Sequence, residues 1–142
     1  METTVKIRAR YDETDQMGVI YHANYYKWFN IGRTEFLRDL GCDYRKLESS
    51  GIIFPVLESG CKHFYPAYYD DEIIINVSLA EFKGVRMRIS YEIINEANGK
   101  KLAEGHTVHG IVDGDLKPVR VNRTENECLK ILIEAMKEEK NA

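Results

Sequence analysis

YDETDQMGVIYHANYYKWFNIGRTEFLRDLG, residues 11 to 41, runs from a polar loop into a long stretch of helical character. From about Ala23 to Leu40 there is no proline, and Gly41 stands where a helix tends to end. At roughly 100° per residue, Tyr25, Tyr26, Phe29, Gly32, Phe36, Leu37 and Leu40 share one arc, with Lys27, Asn30, Thr34 and Arg38 opposite. The helix is therefore expected to bury one broad face. Gly32 within that arc weakens the helix by roughly 1 kcal/mol relative to alanine, so its use is close approach to another backbone, such as a sheet. Arg33 falls in the same arc and breaks its pattern.

Strands on both sides supply that sheet. Thr4 to Arg10 alternates, with Val5, Ile7 and Ala9 on one side and Lys6, Arg8 and Arg10 on the other, the period of a half-buried strand. Asp43 is placed to cap a short helix through Ser50, stopped by Gly51. Phe54 to Tyr65 reads as a strand with Val56, Glu58, Gly60, Lys62 and Phe64 on one face and Leu57, Ser59, Cys61, His63 and Tyr65 on the other. Glu72 to Phe82 aligns Ile73, Ile75, Val77 and Leu79, and Lys83-Gly84 turns into a strand aligning Val85, Met87, Ile89, Tyr91 and Ile93. Asn98-Gly99 marks a second hairpin into Leu102 to Val112, closed by Asp113-Gly114. Thr124 and Glu127 have the spacing of a capping box opening a C-terminal helix, with Leu129, Leu132, Ala135 and Met136 inward. This order predicts an α+β layer design over 1–142, a single domain in which a long helix crosses a mostly antiparallel sheet of about five strands.

Composition narrows the function. At 142 residues and 16.5 kDa the chain fits one domain, and 44% apolar with 30% charged residues is ordinary globular material. No run approaches the roughly 18 apolar residues of a membrane span, and METTVKIRAR contains no apolar signal region, so a cytoplasmic protein is expected. A net charge of −3 and a pI near 5.8 oppose nucleic-acid binding. Cys42, Cys61 and Cys128 are widely spaced and odd in number, and read as reduced thiols rather than a disulfide framework or metal site. His106 and His109, three apart on a strand, point to opposite faces, so no metal is expected there. Dinucleotide, P-loop and serine-hydrolase motifs are absent from the sequence.

From the residues alone, Asp15, in a loop and followed by Gly18, is either a turn aspartate that satisfies backbone N–H groups or a carboxylate for acyl chemistry. Cleaving a thioester or ester requires a carboxylate that attacks or activates water, and N–H groups that hold the developing oxyanion. A helix N-terminus offers such N–H groups without further machinery.

Tyr11, Thr14-Asp15, Gly18, Tyr21-His22, Asn24-Tyr25 and Arg33-x-Glu35, followed by Pro55, Glu58 and the run PAYYDD from Pro66 to Asp71, resemble one family over nearly the whole chain. It is the 4-hydroxybenzoyl-CoA thioesterase family of hotdog-fold acyl-CoA thioesterases, especially its YbgC-like branch. The resemblance implies a curled sheet around a central helix, and hydrolysis of an acyl-CoA to free acid and CoA without metal or redox cofactor. It implies Asp15 as nucleophile through a mixed anhydride or as general base on water, and the His22 backbone amide as oxyanion donor. It also implies that two subunits pair their sheets, often as a dimer of dimers, a homotetramer, with the site between subunits.

Gly18, Tyr21, Tyr25 and Glu58 are the candidate substrate contacts. For Tyr21 and Tyr25 a place in the core competes with a pocket wall. The His22 side chain is either an acid or orienting group near the leaving thiolate or a packing residue. Arg33 is expected to be structural, paired with Glu58, or with Glu35 or Asp71; Glu58 has a rival role as a second carboxylate contributed across a subunit interface. Lys62, Lys83, Arg86, Arg88 and Arg120 either meet the phosphates of CoA or form solvated strand faces. The competing functions are hydrolysis of acyl carrier protein thioesters, enoyl-CoA hydration, and noncatalytic binding of acyl-CoA.

Overall fold

The computed structural model describes residues 2–140, so Met1 and the last two residues of the expected 1–142 domain lie outside it. Five strands, β1 (Glu2–Arg8), β2 (Val56–His63), β3 (Glu72–Lys83), β4 (Arg86–Asn95) and β5 (Lys101–Gly110), form one antiparallel sheet in the order β1-β3-β4-β5-β2. The long helix α1 (Asn24–Asp39) crosses one face against β1, β3 and β4, and α3 (Glu127–Lys140) packs on β3. The short α2 (Tyr44–Ser50) follows α1, its first turn capped by Asp43 accepting from Lys46 N–H. This is the hotdog arrangement.

Period-2 alternation explains the inner face. Ile73, Ile75, Val77 and Leu79 of β3 and Met87, Ile89, Tyr91 and Ile93 of β4 are all buried under α1 and α3. Burying an apolar side chain of this size contributes roughly 1.5–3 kcal/mol, which makes these two central strands the main source of stability. Gly32 has the expected use: a Cβ there would lie 2.6 Å from Val77 Cγ2 and 2.8 Å from Ile75 Cγ2. The buried arc of α1 is rotated from the expected one, because Trp28 is fully buried while Tyr26 stays 39% exposed at the rim, edge-on to Phe29.

Four expectations are corrected. β1 begins two residues early and ends at Arg8, since its register runs from Glu2 opposite Ser78 to Arg8 opposite Glu72 before the chain turns away. In β2 a bulge between Val56 and Glu58 sets two residues against one of β5, so the alternation read from sequence holds only from Glu58 onward. The capping box at Thr124 and Glu127 does not form: Thr124 Oγ1 accepts from Asn126 N–H, and Asn126 Oδ1 accepts from Leu129 N–H at the start of α3. Cys42 and Cys128 are joined in a disulfide, with Cα atoms 5.5 Å apart, leaving Cys61 free. The fold returns α3 beside the end of α1, bringing together cysteines 86 positions apart, a proximity that local spacing does not carry.

The pairing of Arg33 with Glu58 is also overturned. Arg33 donates from Nε to Tyr44 OH (3.0 Å), from Nη1 to Tyr91 OH (3.0 Å) and from Nη2 to Asn30 Oδ1 (2.8 Å). Glu58 lies on the outer face of the edge strand β2, across the sheet from α1, where it meets His106 Nε2 at 3.0 Å. Behind Arg33 runs a buried polar chain from Tyr91 OH to Thr107 Oγ1 (2.7 Å), to His109 Nε2 (2.8 Å), and from His109 Nδ1 to the Phe54 carbonyl (3.0 Å). Its direction follows from its ends. A guanidinium can only donate and a carbonyl can only accept, so Tyr91 donates to Thr107, Thr107 donates to His109, and His109 carries its proton on Nδ1. Burial foremost, with Arg33 nearby, pushes the His109 pKa down to about 4 despite the bond to Phe54. A second ring proton would also aim a donor at the Thr107 donor.

Candidate active site

The loop before α1 is tied at both ends. Tyr11–Glu13 form one 3-10 turn, and Asp15 then closes a tight turn: its N–H donates to Val19 O (2.9 Å), its carbonyl accepts from Gly18 N–H (3.0 Å), and its Oδ1 accepts from Met17 N–H (2.8 Å). Gly18 takes φ +81°, a conformation that a side chain would strain, so the turn depends on glycine here. The half-buried Asp15 thus uses one carboxylate oxygen locally, while Oδ2 receives no hydrogen bond from the described residues. The return leg is held by Ile20 N–H to Ala67 O (2.8 Å) and Tyr21 N–H to Glu13 O (2.8 Å).

The entrance of α1 is open. Ala23 occupies the cap position in helical conformation without any side-chain cap bond, and the first turn carries no acidic residue. Asn24, Tyr25 and Tyr26 N–H groups are used by Tyr21, His22 and Ala23 carbonyls, but the N–H groups of His22 and Ala23 find no acceptor among the described residues. Unfilled N–H groups at the positive end of a helix are suited to negative charge. By contrast, α2 and α3 have their entrances filled by Asp43 and Asn126.

Beside this entrance lies a cavity of about 290 Å³ lined by Val19, Ile20, His22, Tyr25, His63 and Tyr65, with neighbouring residues of the β2 exit. Tyr25 is buried, packing at 4.9 Å on Trp28 and edge-on at 4.6 Å to His63, and burial pushes its hydroxyl up to about 12. Burial, helped by the adjacent His22, holds His63 below its ordinary pKa, which keeps its ring neutral at pH 7. The exposed Tyr21 ring lies 4.6 Å from that of His22. Cys61 is no nucleophile here, because burial pushes its thiol up to about 11.

The structure therefore brings His22 and Tyr25 into one cavity, which the loop reaches through Val19 and Ile20; Asp15, Gly18 and Tyr21 are not among its lining residues, and Glu58 lies on the opposite face of β2. A larger cavity of about 470 Å³ opens on that outer face, where Lys62 and Arg88 are mixed with Glu92, Glu104 and His106. Its charges are of both signs and Glu58 adjoins it through His106, whereas His22 lines the smaller cavity. Lys83 is drawn toward Glu81 at 3.5 Å. Among the described residues, no group of three or more His, Cys, Asp or Glu side chains could hold a metal ion. No helix among them is long and apolar enough to cross a membrane.

Two residues of the site escaped the sequence reading. His63 was placed on the right face of its strand but had no visible partner, since the contact with Tyr25 depends on how α1 lies over β2. Glu13 sits inside the polar run YDETD and carries no pattern of burial, yet it is 3% exposed and bonds Lys27 and Trp28 of α1.

Comparison with known proteins agrees with this architecture. The sequence profile of the thioesterase-like superfamily matches residues 9–130. A putative acyl-CoA thioesterase of Bacillus subtilis, YneP, is 33% identical over 119 residues, covering 83% of this chain and 86% of the relative. The acyl-CoA thioester hydrolase YbgC of Escherichia coli O157:H7 is 30% identical over 101 residues, 69% of this chain and 75% of the relative. The solved structure of the DHNA-CoA thioesterase from Staphylococcus aureus superposes with a TM-score of 0.87 at 31% identity, covering 97% of this chain and 94% of the other.

Proposed function

Because this chain belongs to the thioesterase-like superfamily and is a hotdog-fold thioester hydrolase, we propose that it cleaves acyl-CoA thioesters to free acid and CoA. Asp15 acts as nucleophile or general base, and the His22 backbone N–H holds the oxyanion. The observation that carries this reading is the open entrance of α1, whose His22 and Ala23 N–H groups find no acceptor among the described residues, preceded in the same loop by the half-buried Asp15, whose Oδ2 receives no hydrogen bond from them. A thioester carbonyl seated against those N–H groups gains hydrogen bonds as its oxygen becomes negative. On the general-base route Asp15 takes a proton from water, hydroxyl adds to the carbonyl carbon, and collapse expels CoA thiolate. On the nucleophilic route an Asp15 carboxylate oxygen attacks the carbonyl carbon, the C–S bond breaks to expel CoA thiolate and leave a mixed anhydride, and water then cleaves the anhydride to release the acid and restore the Asp15 carboxylate. Neither route calls on a metal or redox cofactor.

The acyl group occupies the cavity beside Tyr25, with the exposed Tyr21 ring next to His22 and Gly18 leaving the turn without a side chain to obstruct entry. Glu58 faces away from that cavity, so a part for it in binding is played across a subunit boundary. Support for a homo-oligomer comes from β2, an edge strand that exposes Val56 and Leu57 beside unpaired backbone groups. The site of action is the cytoplasm, where acyl-CoA pools are used.

Thiol release measured on short, medium, long and aromatic acyl-CoAs, beside an acyl carrier protein thioester, tests the reading. Release from at least one CoA ester supports it. Release from the carrier ester alone moves the substrate to carrier proteins, and binding without any release identifies a noncatalytic module.

A further inference from the structure

We infer that Glu13 is a positioning residue for the hydrolytic site, fixing the Asp15 turn and the α1 entrance in one geometry; this rests on the assignment of Asp15 and the His22 amide proposed above. Glu13 is a buried carboxylate with both oxygens engaged. Oε1 accepts from Arg10 N–H at 2.7 Å, and Oε2 accepts from Lys27 Nζ at 2.9 Å and Trp28 Nε1 at 3.1 Å. Its own backbone carbonyl accepts twice more, from Tyr21 N–H and from Asn24 Nδ2, each at 2.8 Å.

The side chain therefore grips the first two turns of α1, while the carbonyl grips the residues on either side of His22 and Ala23. Asp15 follows two positions later on the same strand of loop. A buried carboxylate is unfavourable unless it is paired and hydrogen-bonded, and the three bonds to Glu13 meet that need, which makes this a fixed arrangement rather than an incidental contact. Burial opposes its charge, but the bonds from Arg10, Lys27 and Trp28 outweigh that and keep the carboxyl below its ordinary pKa. Apart from Glu13, the loop is held by its own turn bonds, by the Val19–Tyr68 bridge and by Ile20 N–H to Ala67 O, and the helix entrance by Asn24 N–H to Tyr21 O. Chemistry that needs a carboxylate and an amide donor at fixed separation is sensitive to displacements well short of unfolding.

Glu13→Gln tests this with little change of volume. Its amide nitrogen must face either Arg10 N–H or the pair of donors on α1, so one grip is lost. Because Glu13 makes no hydrogen bond among the described residues to Tyr25, His63 or Tyr65 of the acyl cavity, we expect kcat to fall roughly 10- to 100-fold with KM within about twofold. The same variant should exchange its Met17 and Tyr21 amide protons about tenfold faster than the parent while the amides of β3 and β4 keep their protection. Faster exchange everywhere, or unchanged kcat and unchanged exchange at Met17 and Tyr21, would overturn the assignment in favour of plain stabilisation. Should the parent release no thiol from any ester, the hydrolytic reading falls, and the exchange pattern alone still decides whether Glu13 fixes the loop. Should Glu13→Gln fail to fold, Trp28→Phe removes one donor and keeps a smaller aromatic ring at that buried position. A several-fold lower kcat at constant KM then supports the inference, and an unchanged kcat overturns it.

Discussion

At Gly32 helix α1 lies so close to β3 that even a methyl group would sit within 2.8 Å of Val77 and Ile75, whereas at its entrance the His22 and Ala23 N–H groups meet no acceptor among the described residues. One helix thus has a half packed to the limit of contact and an end left underfilled. His22 and Ala23 are exposed, so water takes up these donors until a ligand replaces it. The entrance is held by the packed half, by the Arg33 chain beneath it, and by Glu13 at the loop. The difference teaches where each kind of substitution should act: along Gly32, Arg33 and His109 on stability, around Asp15 and His22 on turnover.

The sharpest way to break this contrast is at Gly32. Gly32→Leu should lose more than about 3 kcal/mol and fail to accumulate as folded protein, since the neighbouring atoms belong to stiff β-branched side chains on the central strand. Gly32→Ala should still lose about 1–2 kcal/mol in urea unfolding despite its better helix propensity, and a variant as stable as the parent would contradict the close approach.

Next in size is the pH dependence carried by His109. Above its ordinary pKa of 6.5 the ring is neutral in both states; between 6.5 and about 4 the unfolded chain takes up a proton that the folded chain refuses. The unfolded state then binds more protons, so stability falls as pH falls through that window and levels off below it, by on the order of 3 kcal/mol. Urea unfolding at pH 7.5 and 4.5 measures it, and the difference should shrink in His109→Gln. Thr107→Val comes third: it cuts the chain between Tyr91 and His109 and should cost about 1–3 kcal/mol, with kcat per folded molecule unchanged. Asp15→Asn should move stability least, within about 0.5 kcal/mol, because an amide oxygen can still accept from Met17 N–H.

Much of the packed half was legible in the sequence, since period-2 and 3.6-residue patterns report which faces are apolar. The β3 and β4 cores, the stop at Gly41, the cap at Asp43 and the use of Gly32 all follow from such local signals. What local patterns do not encode is which polar group meets which across the fold. Arg33 stood out as a cation in an apolar arc that would need a partner if buried, but it is half-buried and its partners are Tyr44, Tyr91 and Asn30 rather than Glu58, a matter of which side of the sheet each residue occupies. The bridge from Cys42 to Cys128 and the burial of Glu13 are of the same kind, set by the return of α3 and by the loop folding onto α1. At the entrance, the spacing of Asp15, Gly18 and His22 located the loop and the start of the helix, while the absence of a cap emerged only from the bonds that Ala23 and His22 do not make.

The most direct test of the account compares acyl-CoA hydrolysis by the parent and by Asp15→Asn at matched folded concentration, with melting followed in parallel. Loss of kcat by roughly 100-fold or more is expected, with the melting curve in place. Turnover undiminished in a folded Asp15→Asn would contradict it and move the chemistry away from the α1 entrance.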